Sequence, residues 1–318
     1  MAGHDVERLS RGLLKRKAGI GKHPGDAPKH AMTAAIVLGI AAAAFLGAGL
    51  VLTQFGLRYI HPLSGAAISV PSFTIVFILI SPILLRGETI AWHAVPIFAA
   101  VGLVFPAVLT ILTFASNRAL GPVVTGALGN LSPLLSVAVA VLLLHEPLRA
   151  LQFAGLVVAV LGVLAITVTR TDDMRDWRTW ALLLPLGASV MRGVIPPVIK
   201  VGLEIWPNPI AAGLTAYIVS TLTVLALERV RTGRFLVQAP LAGKLWFALN
   251  GICNGIGTLL LYLALGAGPV SVVAPLYATY PLFTVGMSVI FLGNIKITFQ
   301  LVAGTALTVG GVVLILMG

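Results

Sequence analysis

Arg192 is the residue with the most to explain. It follows LLLPLGASVM and precedes GVIPP, so its guanidinium lies inside an apolar helix. A charge at mid-membrane there costs about 2.5–3.5 kcal/mol on insertion scales. It must meet a wet cavity or a partner. Facing a cavity it binds a carboxylate or phosphate through two parallel N–H donors; otherwise it snorkels toward an interface or pairs with a carbonyl freed by Pro196. Asn250, Asn254 and Gly257 fall at i, i+4 and i+7 and share one helical face. Two amides on one face hydrogen-bond a substrate or hold helices together. Asn130, Tyr277 and Tyr280 lie beside two prolines, Pro133 and Pro281, in apolar runs. The predicted substrate-binding set is Arg192, Asn130, Asn250, Asn254, Tyr277 and Tyr280, with Pro133 and Pro281 as helix hinges. Gln54 is a weaker candidate of the same kind.

Enzyme chemistry is not visible. The chain has no nucleophile with a base at helical spacing, no metal-ligand cluster and no phosphate-binding loop, so no catalytic residue, metal or cofactor is assigned. Glu146 reads as a turn residue that caps a helix or pairs with Arg149, and His61 and His93 lie at predicted helix ends. No predicted span interior contains Asp or Glu, which disfavours proton-coupled exchange of bulky cations. The single cysteine, Cys253, forms no intrachain disulfide.

The elements that hold these residues follow from composition. The chain of 318 residues is 58% hydrophobic and 10% charged, with mean hydropathy +1.03. Soluble domains carry roughly 25% charged residues, so this is an all-α integral membrane protein whose first partner is the lipid bilayer. A formal net charge of +11 reads as basic anchors at helix ends. It does not read as a nucleic-acid surface, because no aromatic–basic interleaving accompanies it.

About 20 residues cross the hydrocarbon core. On that ruler ten spans are predicted, at 33–55, 63–85, 92–114, 121–144, 150–168, 179–199, 209–227, 245–265, 269–292 and 297–317. Residues 1–30 form a basic, flexible tail, and 170–178 connects residues 31–169 to residues 179–318.

The two halves repeat one another. GPV at 121 returns at 268, Pro133 at Pro281, Gln152 at Gln300, and Gly155 with Gly162 at Gly304 with Gly311, offsets of 147 to 149 residues. Leu46-Gly47-Ala48 is echoed by Leu186-Gly187-Ala188 at an offset of 140, and Gly56-Leu57 by Gly202-Leu203 at 146. Five spans per half is an odd number, so the halves enter the membrane from opposite faces. The glycine pairs at heptad spacing read as packing.

Ala119-Leu120, Pro133, His145-Glu146, Gln152, Gly155 and Gly162, repeated as Ala264-Leu265, Pro281, Gly293-Asn294, Gln300, Gly304 and Gly311, resemble the EamA-type module of the drug/metabolite transporter superfamily. Two departures stand out: His145 where that module has glycine, and Asn294 where it has glutamate. The resemblance implies ten helices, a central cavity between the halves and movement of small organic compounds, often outward. Combined with Arg192, it predicts alternating-access export of amino acids or related carboxylate-bearing compounds across the plasma or inner membrane. The alternative is a non-transporting scaffold or sensor on the same fold. A homodimer is compatible with either. Basic residues are nearly balanced between the two faces; the family resemblance favours both termini in the cytoplasm.

Overall fold

The computed structural model describes residues 29–85, 89–116, 118–119, 132–168, 179–292 and 299–318. The basic tail to residue 28, the connector 170–178, Asn130, and Asn294 lie outside them. The described residues form helices and no strand. In chain order they are α1 (Lys29–Gly56), α2 (Pro62–Leu84), α3 (Val95–Ser116), α4 (Ser132–Leu144), α5 (Ala150–Val168), α6 (Leu183–Ile205), α7 (Pro209–Thr232), α8 (Leu241–Ala267), α9 (Val270–Tyr277), α10 (Tyr280–Leu292) and α11 (Phe299–Met317). Seven spans among them are long and apolar enough to cross a membrane, α9 and α10 counting as one; Ser132–Leu144, Ala150–Gly162 and Ala303–Met317 are shorter apolar helices.

Local chemistry sets the helix ends. His61 precedes Pro62 and its Nδ1 accepts from the Leu63 amide, 3.3 Å, which caps α2. Asn208 caps α7 through the Ala211 amide, 3.0 Å, and Gly233 ends α7 at φ +74°. The helix α7 thus runs past the predicted end at 227, and α6 past 199. Lys200 and Glu228, read as loop residues, are inside helices. Glu228 is 2% exposed. It is tolerated because Arg231 one turn later donates through Nε at 3.2 Å and Ser64 of α2 donates at 2.8 Å.

Two spans are interrupted. Phe105 adopts φ −132°, ψ 125° before Pro106 within the π-helical stretch Leu103–Val108 of α3, the extended backbone that a following proline enforces. The ninth span was expected as one helix over 269–292, but α9 ends at Tyr277 and α10 begins at Tyr280. A proline ring clashes with the carbonyl four residues back, and Tyr277 is four residues before Pro281. Thr279 bridges the break, its hydroxyl donating to the Leu276 carbonyl at 2.7 Å. Pro281 occupies the second position of α10.

The same contacts occur twice with the halves exchanged. Gly102 of α3 lies against the Ala216 backbone of α7, and Gly251 of α8 lies against the Ser69 backbone of α2. Gly47 of α1 meets the Tyr280 carbonyl of α10, while Gly193 of α6 meets the Ser132 carbonyl of α4. The structural counterpart of Gly47 is therefore Gly193, and the Leu-Gly-Ala echo at 140 residues is out of register by about two turns. Counterpart helices also meet directly and antiparallel. Thr74 and Thr221 share a 2.7 Å hydrogen bond between α2 and α7, with Ser64 facing Glu228 further along. On α5 and α11, Gly155 faces Gly311 and Gly162 faces Thr308 and Gly304 so closely that a Cβ on Gly155 would stand 2.6 Å from the Gly311 carbonyl. Only glycine permits that approach.

Candidate functional site

Arg192 projects from α6 and is half-buried. Its Nη1 donates to the Tyr280 hydroxyl at 2.7 Å and its Nη2 to the Thr113 hydroxyl of α3 at 3.4 Å. Tyr280 is 4% exposed and opens α10 just past the proline break. Helices of both halves thus converge on one guanidinium. Its two described partners are neutral hydroxyls, and among the described residues no carboxylate pairs with it. A guanidinium has five N–H donors, so donors remain for an anion.

The other predicted residues do not gather at one point. Tyr277, 6% exposed, precedes the same break and lies within electrostatic reach of Arg192 and Tyr280. Asn250 is fully buried on α8, and its amide is engaged within the bundle. Nδ2 donates to the Gly49 carbonyl and the Thr53 hydroxyl, both at 2.6 Å, and Oδ1 accepts from Ser69 at 2.7 Å. Asn254, one turn on, is wedged against Gly49 in the α1–α8 seam, with no partner for its Oδ1 among the described residues. Asn130 lies outside the described residues. Gln54 lines a cavity of about 570 Å³ with Arg58, Tyr59, His61 and Arg118, where the ends of α1 and α3 meet the start of α2.

Three features were not read from the sequence. Thr113 is one hydroxyl in an apolar run and carried no signal. Glu146 does cap a helix, but a distant one. Its two carboxylate oxygens accept from the amides of Val270 and Ser271, each at 2.8 Å, closing the N-terminus of α9, whose own first residues supply no side-chain cap. Arg149 instead donates to the Gly318 carbonyl. Lys200 donates to the carbonyls of Leu265 at 2.8 Å and Gly268 at 3.0 Å, at the joint between α8 and α9. Glu146 and Lys200 sit at the end of the bundle opposite the Arg58–Arg118 cavity. Among the described residues no group of three or more His, Cys, Asp or Glu is placed to hold a metal ion.

The chain matches the EamA-like transporter family over residues 33–168 and again over 179–317. It therefore belongs to that family and is a multi-pass membrane protein of the drug/metabolite transporter type. A solved structure described only as "Crystal structure of protein" is similar in fold, with a TM-score of 0.72 and 19% sequence identity over 89% of this chain and 96% of that one. No curated protein matches.

Proposed function

We propose that this protein moves small organic anions, amino acids or related carboxylate-bearing compounds, outward across the plasma or inner membrane by alternating access. Ten spans are read as two inverted five-span halves. The three shorter apolar helices serve as the fourth, fifth and tenth spans. The antiparallel meeting of α2 with α7 and of α5 with α11 supports inversion, because these pairs hold equivalent places in the two family repeats. Both termini are cytoplasmic in this reading, so the Arg58–Arg118 cavity faces outside.

The observation that carries the substrate class is Arg192, held between the halves by Tyr280 and Thr113 with unpaired donors remaining. A carboxylate docking there gains charge-assisted, two-pronged hydrogen bonds in a dry setting. Asn250 is assigned to holding α8 against α1 and α2. Asn254, Tyr277 and Asn130 stay in the proposed substrate set, with Pro133 and Pro281 as hinges. Purified protein in liposomes, screened against pooled labelled amino acids, sugars and nucleosides, tests the class. Arg192→Ala is expected to lower transport of the active pool at least tenfold while leaving thermal melting unchanged. Undiminished transport by that variant would remove Arg192 from the site.

A further inference from the structure

We infer that the cavity lined by Gln54, Arg58, Tyr59, His61 and Arg118 is an outer docking station for the carboxylate or phosphate of a soluble organic anion, one step from Arg192 on the same path. The inference rests on the reading that an anion passes Arg192. Arg58 and Arg118 stand in one concave wall, and among the described residues neither has a carboxylate partner. The carboxylate that acts electrostatically on His61, that of Glu228, is buried and already neutralised by Arg231, its nearest oxygen contact 3.0 Å. Arg58 is exposed, and its guanidinium lies over the Phe55 ring, 5.3 Å from the centroid.

His61 reports the field. Its ring is held below the ordinary imidazole range by burial first, and then by the charges of Arg231 and Arg118. A neutral His61 leaves the two arginines as the charges of the wall at pH 7, and a concave low-dielectric surface concentrates their potential.

Thr113, which touches Arg192, stands five residues before Arg118 in the chain. That nearness suits handing one small molecule from a two-arginine rim to a single half-buried arginine. The rim grips weakly because it is wet; the inner site grips more strongly because it is dry.

A competing occupant is a lipid phosphate, since helix-end arginines commonly reach headgroups. The test separates the two and needs no knowledge of the transported compound. Tyr59→Cys places a thiol at a wall residue that is 49% exposed, and the half-buried Cys253 of the parent protein serves as the blank. In phosphatidylcholine nanodiscs, an anionic and a cationic methanethiosulfonate reagent are compared with their rates on free cysteine. Two unit charges acting through water at a distance on the order of 10 Å favour the anionic reagent about tenfold. That preference is expected to vanish in Arg58→Ala/Arg118→Ala and at about 1 M salt, where the screening length is about 3 Å. Benzoate is expected to slow labelling of Tyr59→Cys and to have no effect in the double variant.

Gln54→Cys gives the same readout should Tyr59→Cys fail to fold. A ratio equal to that of free cysteine, a ratio untouched by the double variant, or protection by phosphatidylglycerol and not by benzoate would each overturn the station. A normal Arg192→Ala transporter with a charge-selective rim would instead remove the inner site and leave the rim standing.

Discussion

Asn250 and Arg192 are both polar residues in apolar helices, and what separates them is whether their valences are closed. Every described bond of Asn250 stays inside the bundle, to Gly49, Thr53 and Ser69, whereas Arg192 meets two hydroxyls and keeps donors in reserve. Asn250→Ala removes the partner of the buried Ser69 hydroxyl, and leaving such a group unsatisfied costs about 1–3 kcal/mol. The variant is expected to melt earlier in detergent while each folded molecule transports with an unchanged KM. A raised KM with unchanged melting would return Asn250 to the substrate site. Spacing along α8 put Asn250 and Asn254 on one face but could not say which neighbour that face meets, because the partners are about 180 to 200 residues away. His145 shows the opposite case. A departure from glycine in the family pattern was legible, and the backbone there does adopt φ +52°, a left-handed conformation that glycine enters without strain.

At the scale of elements, the order of the helices was legible, while the division of the ninth span was not. A hydropathy ruler sees an unbroken apolar run from 269 to 292; the break arises from one ring against one carbonyl. Helix ends were misjudged where a charged residue is satisfied by tertiary contacts, as Glu228 is by Ser64. The starting end of α9 was equally hidden, since its cap comes from the α4–α5 turn, 124 residues earlier in sequence. Helix caps contribute about 0.5–2 kcal/mol, and hydrogen bonds to a charged group about 1.5–3 kcal/mol. Glu146→Ala is therefore expected to lower the melting temperature clearly, Glu146→Gln to lower it less because one acceptor oxygen survives, and Arg149→Ala to leave it nearly unchanged. If Arg149→Ala were as damaging as Glu146→Ala, the carboxylate would be acting within its own turn and not on α9.

At the scale of the whole molecule, the halves repeat several contacts yet differ where α3 meets α6, and the difference has a direction. Ala42 and Gly257 stand where α1 meets α8, and Gly187 and Leu112 stand on the counterpart helices α6 and α3. A Cβ on Gly257 would meet the Ala42 carbonyl at 3.1 Å, a closed backbone contact. Among the described residues, a Cβ on Gly187 would find only the tip of the Leu112 side chain, at 3.8 Å. At their other ends α3 and α6 do meet, where a Cβ on Gly202 would press on the Phe98 ring at 2.6 Å. The two helices thus form a wedge that opens toward the Arg58–Arg118 cavity, and Arg192 bridges it partway down. The opposite end is fastened by Glu146 and Lys200. If the halves exchange as proposed, the other state closes Gly187 against Leu112 and opens Ala42 from Gly257. Filling the wedge should block that exchange without disturbing the present packing. Gly187→Leu is expected to melt like the parent, keep the anionic-reagent reactivity of Tyr59→Cys, and lose nearly all turnover. Gly202→Leu, at the closed end, is expected to lower the melting temperature, since overpacking costs about 1–3 kcal/mol. Normal turnover by a folded Gly187→Leu protein would mean that α3 and α6 do not close there, and the motion would have to be sought between other helices.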